Sequence, residues 1–323
     1  MSKFSIGLIA SALLLPAALC AQPAAYPNRP ITMIVSVSAG GSIDTIARAL
    51  AEEMARGLGR PIAVENRPGA NGNLAATAVA RAQADGHTLL VTGGSTLNLN
   101  PHLYRKLPFD PEKDLAPITL TARTNLILVV HPKHNVDSVE GLIALARAQP
   151  GKLNYGSAGN GSLMHIATEL FNSAAGVDTR HIPYKGLAPA VTDILAGNID
   201  FMFDSATTVG HIKAGKLKAL AVVGPNPLPA LPQLKVLASH GIRDVEVASG
   251  WHGLFAPAAT PAEIVARLNA EAVKALNLPA IRERVVAIGA EPAASSPGEL
   301  AAILARDLKR LGPIVKRTGA TLD

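Results

Sequence analysis

The sequence predicts an α/β protein of two similar lobes, and three observations carry that prediction. Strand-like and helix-like segments alternate, one order of elements occurs twice, and each copy opens with a Gly/Ser-rich loop between its first strand and first helix. Alternation of this kind builds strands joined by covering helices, so a mainly parallel sheet is expected in each lobe. At 323 residues the chain has room for two ordinary domains.

The first copy begins with a strand at Met33, Ile34 and Val35 and turns through Ala39-Gly40-Gly41-Ser42. It enters a helix whose apolar stripe is Ile46, Leu50, Met54 and Leu58, a spacing that keeps all four on one face. Gly59 ends that helix, Ile62 to Val64 reads as a strand, Pro68 to Gly72 as a turn, Leu74 to Ala82 as a helix, and Thr88 to Thr92 as the closing strand. The second copy opens at Leu153 to Tyr155 and turns through Gly156 to Gly161. A helix with Leu163, Ile166, Leu170 and Phe171 inward follows, stopped by Gly176. Thr179 to Ile182, Ala190 to Ala196 and Ile199 to Phe203 read as strand, helix and strand.

Two further helices have start signals, Thr260-Pro261-Ala262-Glu263 and Ser296-Pro297-Gly298-Glu299, each a capping box with proline at the first helical position. The chain is expected to cross to the second lobe near Arg123 and return near Val247. Lobe one then comprises residues 22–123 and 247–323, lobe two 124–246, and the C-terminal helices pack on lobe one.

Residues 1–21 read as a signal peptide. Lys3 precedes an apolar run from Phe4 to Leu15, then Pro16 and small residues through Ala21. A membrane span needs about 20 apolar residues, and this run is shorter. A mature periplasmic chain beginning near Gln22 is expected; lipid attachment at Cys20 is the rival, with Leu19 where a lipobox has a small residue. Cleavage removes the one cysteine, which excludes a disulfide framework and a catalytic thiol. The net charge of +6 is spread over helices instead of gathered beside aromatics, which argues against nucleic acid as a partner.

The chemistry is concentrated in loops. A strand–glycine loop–helix junction aims backbone N–H groups and a positive helix end at an anion, a carboxylate or a phosphate. Val37, Ser38, Ala39, Gly40, Gly41 and Ser42 form one such loop, and Ser157, Ala158, Gly159, Gly161 and Ser162 the other. Each glycine could instead serve only a tight turn, but two loops at matching positions favour a shared ligand. Asp44 either favours its helix N-terminus, orders the loop or meets a ligand amine. Ser95 and Thr96 lie beyond the strand closing the first copy. His165, the turn Tyr184-Lys185-Gly186 and Asp204 complete the set, with structural alternatives: a satisfied histidine, a core or hinge role for Tyr184, and a turn or capping acid for Asp204.

Enzyme signatures are weak. Gly159-Asn160-Gly161 is followed by Met164 where a dinucleotide fingerprint needs glycine, no Walker lysine occurs, and no G-x-S-x-G elbow is present. His131 and His134 flank Pro132 without further ligands, so no metal and no cofactor are expected.

An ordered set of short motifs then closely resembles a known family. Tyr26-Pro27-Asn28-Arg29-Pro30-Ile31, Ala39-Gly40-Gly41-x-x-Asp44, Val64-Glu65-Asn66-Arg67-Pro68-Gly69-Ala70-x-Gly72 and Asn100-Pro101-His102-Leu103-Tyr104 come first. Asn154 to Ser162, Pro183 to Gly186, Asp200-x-Met202-Phe203-Asp204 and Gly253 to Pro257 follow. Together they resemble the Bug family, the periplasmic solute-binding receptors of tripartite tricarboxylate transporters, over essentially the whole mature chain. The resemblance implies a type II periplasmic-binding-protein (Venus-flytrap) fold and no enzymatic activity. It also implies a carboxylate held partly by backbone groups, and a permease partner or, in an orphan, a signalling partner; a monomer is expected. Ser36-Val37 stand where the family often has Pro-Phe, so no relative's ligand is carried over.

Overall fold

Each copy of the repeat folds into its own sheet, because each buries an apolar strand core under amphipathic helices. The computed structural model describes residues 26–224, 227–228, 230–243, 245, 250–318 and 321–322; the signal-peptide expectation and the return crossing at Val247 lie outside them. In the first repeat, β1 (Ile31–Val35) lies between β2 (Ile62–Asn66) and β3 (Thr88–Gly93), both parallel to it. α1 (Ser42–Leu58) buries Ile46, Leu50, Met54 and Leu58 as predicted, and Gly59 ends it at φ 71, a left-handed conformation that suits glycine. The 3-10 turn Ala70–Gly72 leads into α2 (Asn73–Ala80); α3 (Gly94–Asn98) and α4 (Asn100–Leu103) follow β3.

Asn125 alone separates β4 (Leu115–Thr124), in the first sheet, from β5 (Leu126–Val130), in the second. After α5 (Val139–Ala148), the second repeat supplies β6 (Asn154–Ser157), α6 (Leu163–Ala175), β7 (Arg180–Pro183), α7 (Leu187–Leu195) and β8 (Phe201–Asp204). α8 (Val209–Lys213), β9 (Lys218–Val223) and the 3-10 turn Leu237–His240 follow. β10 (Gly250–Pro257), α9 (Ala262–Leu276), α10 (Pro279–Ala287), β11 (Ala290–Pro292) and α11 (Pro297–Thr318) belong to the return.

The sheets have the orders β11-β4-β10-β3-β1-β2 and β7-β6-β8-β5-β9. Within the two-lobed α/β class the sheets are mixed rather than mainly parallel. Helix crossovers keep β1, β2 and β3 parallel, and likewise β6, β7 and β8. β10 runs antiparallel to β3 and β4, β11 to β4, and β5 to β8 and β9. A strand that enters from the other sheet has no covering crossover helix to impose parallel direction.

α9 and α10 pack on the first lobe, sharing a core with α1 through Leu268, Ala272, Ile281 and Val285. α11 departs from the expectation and straddles both lobes. Leu300, Ile303 and Leu304 pack with Leu90, Trp251 and Phe255, whereas Leu311, Ile314 and Val315 join Ile166, Leu170 and Phe171. The capping box at its start forms: Ser296 N–H donates to Glu299 Oε2 at 2.7 Å, and Glu299 N–H to Ser296 Oγ at 3.2 Å. The one expected at Thr260 does not, because the Thr260 hydroxyl donates to the Pro257 carbonyl at 2.7 Å and α9 starts at Ala262 without a side-chain cap.

Candidate ligand-binding site

Both glycine loops leave the C-terminal ends of parallel strands, where α/β sheets place their ligands. In the first, β1 ends at Val35 and the chain runs through Ser36–Gly41 into α1. Ser38, Ala39, Gly40 and Gly41 are exposed, Val37 and Ser42 half-buried. Gly41 is the N-cap of α1 with φ −76, and no side chain caps the helix. Its first-turn N–H groups therefore remain available to an anion.

The loop is braced from behind. Asp44 points inward, its side chain 4% exposed, and accepts from Gly40 N–H at 2.9 Å, Arg48 Nε at 3.0 Å and Asn66 Nδ2 at 2.8 Å. Burial alone would raise the Asp44 pKa, but bonds from Arg48, Gly40 and Asn66 hold it below the ordinary carboxylate value. Asn66 also donates to the Val37 carbonyl at 3.0 Å and accepts from Arg48 at 2.9 Å. Asp44 is thus the loop-ordering acid, and its charge is matched by Arg48 instead of repelling a ligand. Gly40 loses its expected part as a donor, since its N–H belongs to Asp44; φ +86 is what requires glycine there.

Thr96, buried, donates its hydroxyl to the Asn71 carbonyl at 3.1 Å, and Ser95 is half-buried beside it on α3. A Cβ on Gly72 would lie 2.4 Å from Thr96 Oγ1 and 3.2 Å from Ser36 Cβ. The first loop, the 69–72 turn and α3 therefore meet in one mouth.

The second loop spends more of its donors on itself. Ser157, fully buried, accepts from Gly159 N–H at 3.1 Å and lies 2.7 Å from His181 Nε2. Gly161 N–H donates to His165 Nδ1 at 3.1 Å, Ser162 N–H to the Gly159 carbonyl at 3.1 Å, and Ser162 Oγ caps α6 by accepting from His165 N–H at 3.3 Å. A side chain on Gly161 would strike Leu322 and Leu103, and its φ of +70 likewise suits glycine. Ser157, Gly161 and Ser162 therefore do not offer the free donors expected of them, because local partners reach them first. Ala158, half-buried, and Asn160, exposed, are the neighbours whose N–H groups no loop acceptor takes among the described residues.

The 184–186 turn packs on this loop: Tyr184 N–H donates to the Ser157 carbonyl at 3.1 Å and Gly186 N–H to the Ala158 carbonyl at 3.3 Å. The Tyr184 hydroxyl donates to Asp193 Oδ2 at 2.6 Å, and burial together with that carboxylate pushes its pKa up to about 12. Lys185 is exposed at the rim and forms no ion pair among the described residues. Asp204 is the turn acid of its alternative reading. It is fully buried and accepts from Thr207 Oγ1 at 2.6 Å and from Thr208 N–H and Oγ1 at 2.8 Å, so it has no free face for a ligand.

Sequence reasoning passed over Asn66, Arg48 and His181 as contributors. Asn66, at the end of β2, lies inside a quoted motif; nothing local marks His181, whose partners come from β6 and α6. The pair His131 and His134 serves structure. His131 Nδ1 accepts from Lys133 N–H, and His134 meets Asp200 at 2.8 Å beside Lys133 Nζ. Among the described residues no cluster of three or more His, Cys, Asp or Glu could hold a metal, and no helix is long and apolar enough to cross a membrane.

Comparison with known proteins agrees with this architecture. The sequence profile described as tripartite tricarboxylate transporter family receptor matches residues 46–320. The solved structure of periplasmic binding protein BugD is 33% identical, covers 92% of this chain and 99% of its own, and superposes with a TM-score of 0.80. An R. palustris protein determined with adipate is 33% identical over 92% of this chain and all of its own, at TM-score 0.83. MatC from Rhodopseudomonas palustris, determined with bound malate, is 33% identical over 90% of this chain and all of its own, at TM-score 0.79. The chain belongs to the tripartite tricarboxylate transporter receptor family of periplasmic solute-binding proteins.

Proposed function

We propose that this protein is an extracytoplasmic receptor that closes its two lobes on a small carboxylate and delivers it to the membrane subunits of a tripartite tricarboxylate-type transporter. The observation that carries the reading is the uncapped N-terminus of α1 at exposed Gly41, with Asp44 turned inward and neutralised behind it. An anion there meets oriented N–H groups, a positive helix end and no competing free carboxylate. The carboxylates found with two 33%-identical relatives, adipate and malate, support the same ligand class. From the second lobe, the N–H groups of Ala158 and Asn160 and the cation of Lys185 are the proposed complement. Charge-assisted hydrogen bonds are worth about 1.5–3 kcal/mol each, so a few of them reach the roughly 8 kcal/mol of micromolar affinity after ordering costs. Secretion through residues 1–21 belongs to this reading, and the intact mass of periplasmic protein checks it.

The test is a thermal-shift and calorimetry screen of mono-, di- and tricarboxylates, amino acids and aromatic acids. A ligand present at 100 times its Kd raises stability by about 2.7 kcal/mol and is recovered chemically unchanged; solution scattering at saturation shows compaction. Conversion of the ligand, or stabilisation only by non-anionic compounds, would overturn the reading. Loss of uptake of that acid on deletion of the gene separates transport from signalling.

A further inference from the structure

Behind the second loop, three aromatic rings form a column. Tyr155 on β6, His181 on β7 and His165 on α6 stack with His181 in the middle: its centroid is 4.8 Å from Tyr155 and 4.1 Å from His165, with interplanar angles of 17° and 7°. Both ends of the adjoining loop are tied to this column, Ser157 through His181 Nε2 at 2.7 Å and Gly161 through His165 Nδ1 at 3.1 Å. The Tyr155 hydroxyl donates to Glu169 Oε1 at 2.5 Å, which anchors the column to the second turn of α6.

We propose that His165 and His181 are positioning residues for the ligand, setting the conformation of the 157–162 loop that closes from the second lobe. The inference rests on the carboxylate-receptor reading above. It replaces a direct ligand role for His165 with an indirect one, because the ring nitrogen facing the loop is already taken by Gly161. Gly159 at φ +122 and Gly161 at φ +70 leave this backbone many alternatives, and glycine itself selects none of them. The selection comes from the two imidazoles, which hold the loop's two ends to one rigid stack. The protonation state follows from the bonding: accepting from Gly161 requires His165 to be unprotonated at Nδ1. Glu169 and Tyr155 from α6 and β6 are the other titratable groups at the column. Burial, followed for His181 by the neighbouring His165, keeps both imidazoles below the ordinary histidine pKa, His181 at about 4; Glu169 partly offsets this at His165.

The experiment measures binding of malate and adipate by calorimetry at pH 7.5 to wild type, His165→Ala, His165→Asn, His181→Ala and His181→Gln, with a thermal melt of each. Asn places a carbonyl oxygen where His165 Nδ1 accepts, and Gln places an amide where His181 Nε2 meets Ser157. The alanine variants are expected to bind about tenfold more weakly, the size of one lost hydrogen bond, and the amide variants to recover most of that loss. In wild type, NMR titration of His165 should move to lower pH when ligand is bound, since a proton on Nδ1 breaks its bond from Gly161 N–H, and a proton that disfavours the bound loop must itself be disfavoured by ligand. Amide variants that bind no better than the alanine variants, or a His165 titration indifferent to ligand, overturn the inference alone. Failure of wild type to bind any acid of the wider carboxylate screen overturns the receptor reading and this inference with it.

Discussion

The side-chain amide of Asn66 donates to Asp44 at 2.8 Å, and that bond joins the end of β2 to the first turn of α1. Because Asn66 also holds the Val37 carbonyl, one residue from a neighbouring strand fixes both sides of the exposed Ser38–Gly41 segment. Asn66→Ala should cost about 1–3 kcal/mol by leaving a buried carboxylate short of a donor. Urea denaturation reads the stability, and ligand affinity should fall in parallel. Unchanged affinity would mean that the loop holds its shape without the brace.

Gly41→Val is the sharpest test of the helix-end cradle. A Cβ at Gly41 meets nothing closer than 3.7 Å and its φ of −76 suits any residue, so folding should survive. Bulk placed against the anion should reduce affinity at least tenfold with the melting temperature nearly unchanged. If Gly41→Val binds like wild type while Lys185→Ala does not, the rim cation is the anchor.

Stability should fall as the pH drops from 6.5 toward 4. His252 is buried on β10, and desolvation pushes its pKa down to about 4; burial and His165 do the same to His181. With the folded pKa below the unfolded one, the unfolded chain takes up more protons in that window, so protonation favours unfolding. For His252 the whole window is worth roughly 3 kcal/mol. His252→Leu should flatten the stability–pH curve between those limits, measured by urea unfolding at half-unit steps; a curve of unaltered slope would contradict the assignment. Asp44 acts lower: its depressed pKa gives stability that is present above the unfolded value and is lost as the pH falls through the folded one.

The straddling of α11 makes its two halves separable. Leu304→Ala and Leu311→Ala each remove a buried leucine, 2% exposed in both cases, at an expected cost of about 2–5 kcal/mol. Hydrogen exchange should then quicken in β10 for the first and in α6 for the second. Equal effects of both variants on both elements would mean that the lobes unfold as one unit.

Much of the fold was legible because its signals are local. The stripe Ile46, Leu50, Met54 and Leu58 lies on one buried face, Gly59 and Gly176 end their helices in left-handed conformations at φ 71 and 61, and Ser296 with Glu299 closes a capping box. Residue spacing specifies each of these within a turn or two of chain. The same reasoning found both glycine loops and placed them between strand and helix. It misassigned the Thr260 box because the hydroxyl had a nearer acceptor in the Pro257 carbonyl.

The sequence by itself determined the two-lobed α/β plan, the glycine stops of α1 and α6 and the loops where an anion can be met. Only the tertiary structure decided which donors remain for it. A hydrogen-bond donor can be recognised from its position in the chain, but its partner depends on what folding brings within 3 Å. Thus Gly40 is claimed by Asp44, Gly161 by His165, and Ser157 by His181, whereas the N-terminus of α1 behind Gly41 stays uncapped. Strand direction and the seat of α11 were likewise settled at a distance. Mixed sheets arise because β10 arrives from the other lobe, and α11 straddles because its apolar face is long enough to serve two cores.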